Sequence, residues 1–328
     1  MELDQGLGLG MIFLAADIGG TRSRLMLAAG EGSAWRTLRR ETLSSPDHAS
    51  VDALLDSFLR PGENPEYACL ALAGPVEGQA VQLTNLPWRV DAAALARRRG
   101  FREVRLINDF AAQANGLAVL GAGGLHTLQT GTPVAHGPQL LLGAGTGLGM
   151  ALLLDGDAPR VLPSECGHGD FAPTDLQQIA LLQYLRPHLG RVSLEHLLSG
   201  HGLARIHAFI KNQPAQAPLT EEASAISTAG LKGEPAAAAA LDLFARIYAS
   251  TAGNLALAVL PRGGVYLSGG IAPKILPFLA RPETLAAFRD KPPMVALLEK
   301  IPLHVVTDEH LGLHGAAHLA AQLAHQPD

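Results

Sequence analysis

Residues 13–30 read FLAADIGGTRSRLMLAAG, and residues 140–154 read LLLGAGTGLGMALLL. Each stretch sets a glycine-threonine turn between two apolar runs of strand length. The first turn carries Asp17, Gly19, Gly20 and Thr21; the second carries Gly143, Gly145, Thr146, Gly147 and Gly149. Glycine permits positive φ and close backbone approach, so successive N–H groups at such turns can converge on an anion. The recurrence predicts two related halves, each offering a phosphate-sized nest, with a ligand held in a cleft between them. A nucleotide triphosphate suits that layout.

Other phosphate-binding designs do not fit. The chain has no G-x-x-x-x-G-K-[ST] stretch, no His-Arg-Asp or Asp-Phe-Gly set, and no strictly spaced G-x-G-x-x-G opening a helix. The 328 residues are 48% hydrophobic, enough to build two domains, and 5% aromatic, so the cores must be mostly aliphatic. A formal net charge of −5 gives no reason to expect nucleic acid or an anionic membrane as partner. Arg97, Arg98 and Arg99 read as a solvated helix end. Two cysteines, Cys69 and Cys166, make neither a disulfide framework nor a Cys-rich zinc site. With no secretory signal pattern and no long uninterrupted apolar stretch, a cytoplasmic protein is expected. Residues 1–10 read as a loose leader, with Met11 as an alternative start.

The periodicities place the remaining motifs. Strands are expected at 67–73, 104–107, 263–267 and 302–306, and helices at 51–59, 92–99, 110–120, 174–187, 193–211, 235–259 and 312–324. Asn108 and Asp109 fall where a strand hands over to a helix, the place where ligands gather in open α/β sheets. They suit a helix N-cap and equally a base facing a ligand. Glu165, His168 and Asp170 lie between glycines that disfavour an α-helical metal site; they suit either a polar surface loop or a set of acceptors for hydroxyl groups. Cys166 beside them reads as a small buried thiol rather than a nucleophile. Ser193 reads as the N-cap of the 193–211 helix, with Glu195 in its first turn. Ser268, Gly269 and Gly270 form either a simple strand-to-helix turn or a platform for an adenosine.

In this order the segments DIGGT (17–21), LINDF (106–110), GAGTGLG (143–149), SECGHGDFAP (164–173), SLEHLLSG (193–200), LSGGIAPK (267–274) and FRDK (288–291) resemble the bacterial glucokinase family of the hexokinase/actin-like ATPase superfamily. The resemblance spans nearly the whole chain. It implies an α/β, two-domain actin-like ATPase (ribonuclease H-like) fold with an interdomain cleft: a small domain of residues 1–109 plus 309–328, and a large one of residues 110–308. It implies Mg²⁺·ATP-dependent phosphorylation of glucose, or a similar hexose, at the 6-hydroxyl. By position, Asp109 matches the general base, and Asn108, Asp109, Glu165, His168 and Glu195 match the sugar ligands. Gly19, Gly20 and Thr21 match the first phosphate loop, and Gly145, Thr146 and Gly147 the second. Asp17 matches the residue that holds Mg²⁺ through water, and Gly269 and Gly270 match the adenosine-side turn. A homodimer is implied as well. Two positions depart from the family pattern: Arg22 stands where Asn is frequent, and Cys166 where glycine is usual. The alternatives are a kinase for another hexose or amino sugar and a non-catalytic sugar sensor. The residues ahead of the first hairpin are too few for a DNA-binding module, which favours the enzyme.

Overall fold

The computed structural model describes residues 10–32, 34–74, 76–83, 86–154, 156 and 159–325. The expected leader, apart from Gly10, lies outside them. The chain divides into two units, one of residues 1–121 and 310–328, the other of residues 122–309.

The first unit is built on a five-stranded sheet in the order β3-β2-β1-β4-β7. Strands β1 (Ile12–Ile18), β2 (Arg22–Glu31) and β3 (Ala34–Ser44) run antiparallel, while β1, β4 (Tyr67–Leu72) and β7 (Glu103–Asn108) run parallel. Strand β1 is apolar at nearly every position because both of its faces are covered. Leu14, Ala16 and Ile18 join one core with helix α1 (Val51–Phe58). Phe13 and Ala15 join the other, with Leu313, Ala316, Ala317 and Ala320 of the closing helix, Leu311–Leu323.

Helix α1 presents Val51, Leu54, Leu55 and Phe58 inward at helical spacing, and the Ser50 hydroxyl caps it by accepting the Ala53 N–H at 3.2 Å. Burial of each such side chain is worth about 1.5–3 kcal/mol. A small ribbon of β5 (Ala80–Gln82) and β6 (Arg89–Asp91) leads into α2 (Ala92–Arg99), which ends on Gly100 at φ 75°. Here the arginine run is not simply solvated. Arg98 and Arg99 pair with Asp52 of α1, and Arg99 also with Asp56, so the run ties two helices together.

Helix α3 (Asp109–Gly116) belongs to this first unit, whereas the sequence reading placed it in the second. The reason is close packing on the closing helix: a Cβ at Gly315 would overlap the Ala112 carbonyl, and one at Gly116 the Leu311 carbonyl. The expected 110–120 helix is also shorter, finishing as a 3-10 turn at Leu117–Val119.

The second unit repeats the plan. Its sheet runs β11-β10-β9-β12-β13-β8. Strands β9 (Gln139–Ala144), β10 (Leu148–Leu154) and β11 (Arg160–Ser164) are antiparallel; β9, β12 (Gly264–Ser268) and β13 (Leu303–Val306) are parallel; β8 (Leu125–Gln129) is an antiparallel edge on β13. In both sheets a parallel trio carries an antiparallel pair on one flank, and the glycine turn joins the first strand of the trio to the antiparallel strand beside it.

Helices α4 (Leu176–Leu189), α5 (Gly200–Ile210), α6 (Ala223–Leu231) and the 25-residue α7 (Pro235–Val259) share one core with this sheet. Three short helices, α8 (Leu276–Leu279), α9 (Pro282–Arg289) and α10 (Val295–Leu298), follow β12. Among the described residues no helix is long and apolar enough to cross a membrane.

Candidate functional site

The predicted residues divide between the two units. In the first, the turn after β1 is closed by the Gly19 N–H, which donates to the Arg22 carbonyl at 3.0 Å. Ser45 braces it from the side. Its hydroxyl donates to the Gly19 carbonyl at 2.7 Å, and its N–H donates to the Thr21 carbonyl at 3.1 Å. Ser45 is fully buried and also meets the Ser23 hydroxyl at 2.8 Å. Because the Ser45 proton points at Gly19, Ser23 is the donor of that second bond. Thr21 and Arg22 are exposed.

At the end of β1, Asp17 pairs in register with Arg24, whose guanidinium lies 3.6 Å from its carboxylate. Burial holds the Asp17 carboxyl above its ordinary range, with Arg24 pulling the other way. Gly312 of the closing helix approaches so closely that a Cβ there would stand 3.1 Å from Asp17 Oδ2.

The strand-to-helix step at 108–109 separates the two roles left open by the sequence. Asn108 is the N-cap: its Oδ1 accepts the Phe110 N–H at 2.9 Å and the Ala111 N–H at 3.2 Å, and its Nδ2 donates to the Gly74 carbonyl at 3.3 Å. Asp109 is the next residue and accepts the Phe110 N–H at 2.9 Å. Burial pushes its carboxyl up to about 6; the Phe110 N–H opposes this and the charge of Asp17 adds to it. A carboxylate with that affinity for protons is suited to general-base work near neutral pH.

In the second unit the turn after β9 is closed by the Gly145 N–H, which donates to the Gly147 carbonyl at 2.9 Å. Gly19 and Gly145 therefore commit their own amides to the turns. Nor do Gly19, Gly145 or Gly147 adopt positive φ, as glycine's freedom had suggested; close approach explains Gly19 and Gly147 instead. A Cβ on Gly147 would overlap the Glu195 carboxylate, and one on Gly145 would meet nothing within 4 Å. Of the pair expected on the adenosine side, Gly269 sits at φ 83° with no room for a Cβ beside the Ala144 carbonyl, while Gly270 is exposed with open space.

Residues 193–199 are not helical, which corrects the expected 193–211 helix. Helix α5 begins at Gly200, and Ser199 rather than Ser193 is its cap, accepting the Gly202 N–H at 3.1 Å. Residues 192–195 instead lace onto the 167–171 loop. The Phe171 N–H donates to the Val192 carbonyl at 2.9 Å, the Leu194 N–H to Gly169 at 2.9 Å and the Glu195 N–H to Gly167 at 2.8 Å. So Glu195 is no helix-dipole acid. Its Oε2 accepts the Leu148 N–H at 3.0 Å, and the Gly200 N–H donates to the Gly145 carbonyl at 2.8 Å. These contacts bring Glu195 onto the second glycine turn.

Glu165 stands at the head of a single 3-10 turn, Cys166–His168. Its side chain is 85% exposed, that of His168 is 62% exposed, and the two approach to 3.9 Å. Asp170 meets Arg191 at 3.4 Å. Burial pushes the Cys166 thiol up to about 11 and the Cys69 thiol up to about 12, which makes both poor nucleophiles. Among the described residues no group of three or more His, Cys, Asp or Glu side chains is arranged to hold a metal.

Two structural residues escaped the sequence reading. Ser45 follows the edge strand β3, whose mixture of polar and apolar residues carries no clear period-2 signal. Tyr248 lies inside the expected 235–259 helix and belongs to no motif. A tyrosine so deeply placed needs a partner for its hydroxyl, and that was the available signal.

Known proteins match this architecture across its length. Residues 14–323 match the glucokinase family model. A glucokinase from Nostoc punctiforme is 38% identical, the match covering 95% of this chain and 99% of that one. The crystal structure of a glucokinase from an Antarctic psychrotroph superposes with a TM-score of 0.84 at 31% identity, covering 94% of this chain and 98% of the other. A ROK family glucokinase from Streptomyces griseus, solved with glucose and AMPPNP, shares the fold at a TM-score of 0.66 and 22% identity, covering 95% and 99%. The actin-like ATPase fold implied by the resemblance is therefore present, and the chain belongs to the glucokinase family.

Proposed function

We propose that this protein transfers the γ-phosphoryl group of ATP to the 6-hydroxyl of glucose, with Asp109 as general base. The observation that carries the proposal is the Asp109 carboxyl, raised to about 6 beside a helix start that Asn108 already caps. Phosphoryl transfer asks a protein for positioning and charge stabilisation more than for covalent chemistry. Asp109 accepts the hydroxyl proton as the oxygen attacks phosphorus. Asn108, Glu165, His168 and Glu195 hold the other sugar hydroxyls through directional acceptors and donors.

The amides of Gly20, Thr21, Thr146 and Gly147 face the phosphates, since those of Gly19 and Gly145 close their turns. Gly269 and Gly270 lie on the adenosine side. The glucokinase relatives, and a fold neighbour solved with glucose and AMPPNP, support both substrates.

Asp17 would hold Mg²⁺ through water. Its fit rests on a hard oxygen donor, a fifth exposed, whose negative charge burial disfavours and a dication would relieve. Magnesium commonly takes one or two carboxylates together with substrate phosphates, which agrees with a site holding no dense ligand cluster among the described residues. When bound, the ion neutralises charge that develops on the phosphates. The two free thiols suit the reducing cytoplasm. The homodimer implied by the family resemblance belongs to the same reading, and sedimentation tests it.

The deciding experiment is a coupled ADP-release assay on wild type and Asp109→Asn, run with a panel of hexoses. Glucose-dependent release that Asp109→Asn abolishes, with glucose binding intact, supports the proposal. Undiminished turnover in that variant refutes the base assignment, and a better hexose than glucose would reassign the acceptor.

A further inference from the structure

Tyr248, in the middle of α7, is fully buried, and its hydroxyl reaches the ends of two different strands. The oxygen accepts the Ala144 N–H at 3.2 Å. The proton lies between the carbonyls of Leu142, at 2.8 Å, and Ser268, at 3.3 Å. Ala144 is the residue before Gly145, and Ser268 is the residue before Gly269. One hydroxyl thus stands one step ahead of both glycine turns of this unit.

The location is where an anchor is needed. The parallel pairing of β9 with β12 has its last register pair at Gly143 and Ser268. Beyond it the chains part into separate turns, drawn together again by the Ile271 N–H donating to Ala144 at 3.2 Å and by the tight approach of Gly269. Packing alone does not call for the oxygen. The ring lies edge-on to Phe244 at 6.0 Å, and a phenylalanine would fill the same space.

We propose that the Tyr248 hydroxyl is a positioning residue for the nucleotide: it sets the distance between the phosphate turn, Gly145–Gly147, and the adenosine turn, Gly269–Gly270. The proposal rests on the reading that those turns hold the nucleotide. It makes a demand that a general stabilising role does not. A ligand spanning both turns must feel the loss of the hydroxyl, while ligands confined to one turn must not.

The test is Tyr248→Phe in the full chain, with binding measured for ADP, for inorganic tripolyphosphate and for adenosine. ADP affinity is expected to fall roughly three- to tenfold, the range that one buried hydrogen bond supports. The two fragments should each stay within about twofold of wild type. KM for ATP rises by a similar factor and KM for glucose does not move. Placing 4-aminophenylalanine at position 248 restores a donor and recovers ADP affinity; it also serves if the phenylalanine variant folds poorly. Unchanged ADP affinity, or an equal loss for all three probes, overturns the proposal. Gly145→Val separates it from the underlying reading, because a side chain there enters open space. If Gly145→Val weakens ADP and Tyr248→Phe does not, the spacing role alone is wrong. If neither does, the nucleotide reading fails as well.

Discussion

The two glycine turns occupy equivalent places in two sheets of the same plan, yet they are held by different chemistry. The turn of the first unit is braced by a neutral hydroxyl, Ser45, and lies beside carboxylates whose protons burial makes harder to remove. The turn of the second unit is braced by an ionisable side chain, Glu195, from a loop laced to the one that carries Glu165 and His168. The lesson is a division of labour. In our reading the first unit supplies charge and proton transfer, and the second couples the grip on the sugar to the grip on the phosphates.

The sharpest way to break that comparison is Asp109→Asn. Loss of the proposed base is expected to lower kcat by about 10²–10⁴-fold while the dissociation constant for glucose stays near wild type, as isothermal calorimetry would show. The stability effect has the opposite sign. The folded carboxyl binds its proton more tightly than the unfolded one, so the fold loses stability as pH rises from the ordinary range near 3.8 through about 6. Asp109→Asn is therefore expected to raise Tm at pH 8, and the gain should vanish near pH 3. Wild-type kcat/KM should fall about tenfold per pH unit below pH 6, a limb that the variant lacks.

Next in size is Glu195→Ala, which removes a charge-assisted bond to the Leu148 amide. KM for glucose and KM for ATP should rise together, each by about 10- to 100-fold. A rise in one alone would uncouple the two grips. Gly269→Ala tests backbone strain: φ 83° and the nearby Ala144 carbonyl predict a loss of about 1–3 kcal/mol or more in urea unfolding. The smallest effect is expected for Ser45→Ala, about 1 kcal/mol of stability and a severalfold rise in KM for ATP with no change for glucose. An equal glucose effect would erase the difference between the turns.

How far the sequence could be read depended on whether a signal was local. The hairpins at Asp17–Thr21 and Gly143–Gly149, the strand before Asn108 and the long helix from Pro235 all announce themselves by apolar periodicity with glycine or proline punctuation, and they stand where expected. Strand β3 did not, because an edge strand with solvent on one side carries polar or charged residues at most positions. Ser193-Leu-Glu195 looked like a helix start because serine followed by an acid fits a cap; backbone pairing with residues 167–171 overrode that preference. The separate duties of Asn108 and Asp109 were also hidden, since either residue type caps a helix and the choice is made by which carboxyl or amide oxygen reaches the Phe110 and Ala111 amides.

The closing helix has a consequence for biosynthesis. Unit two is one continuous stretch, so every strand of its sheet has been translated before residue 310 is made. Phe13, Ala15, Cys69 and Ala71 of unit one must wait for Leu313, Ala316 and Ala317 to cover them. The segment translated first is therefore the last to complete its core, and its uncovered sheet is the surface a chaperone would meet on the nascent chain.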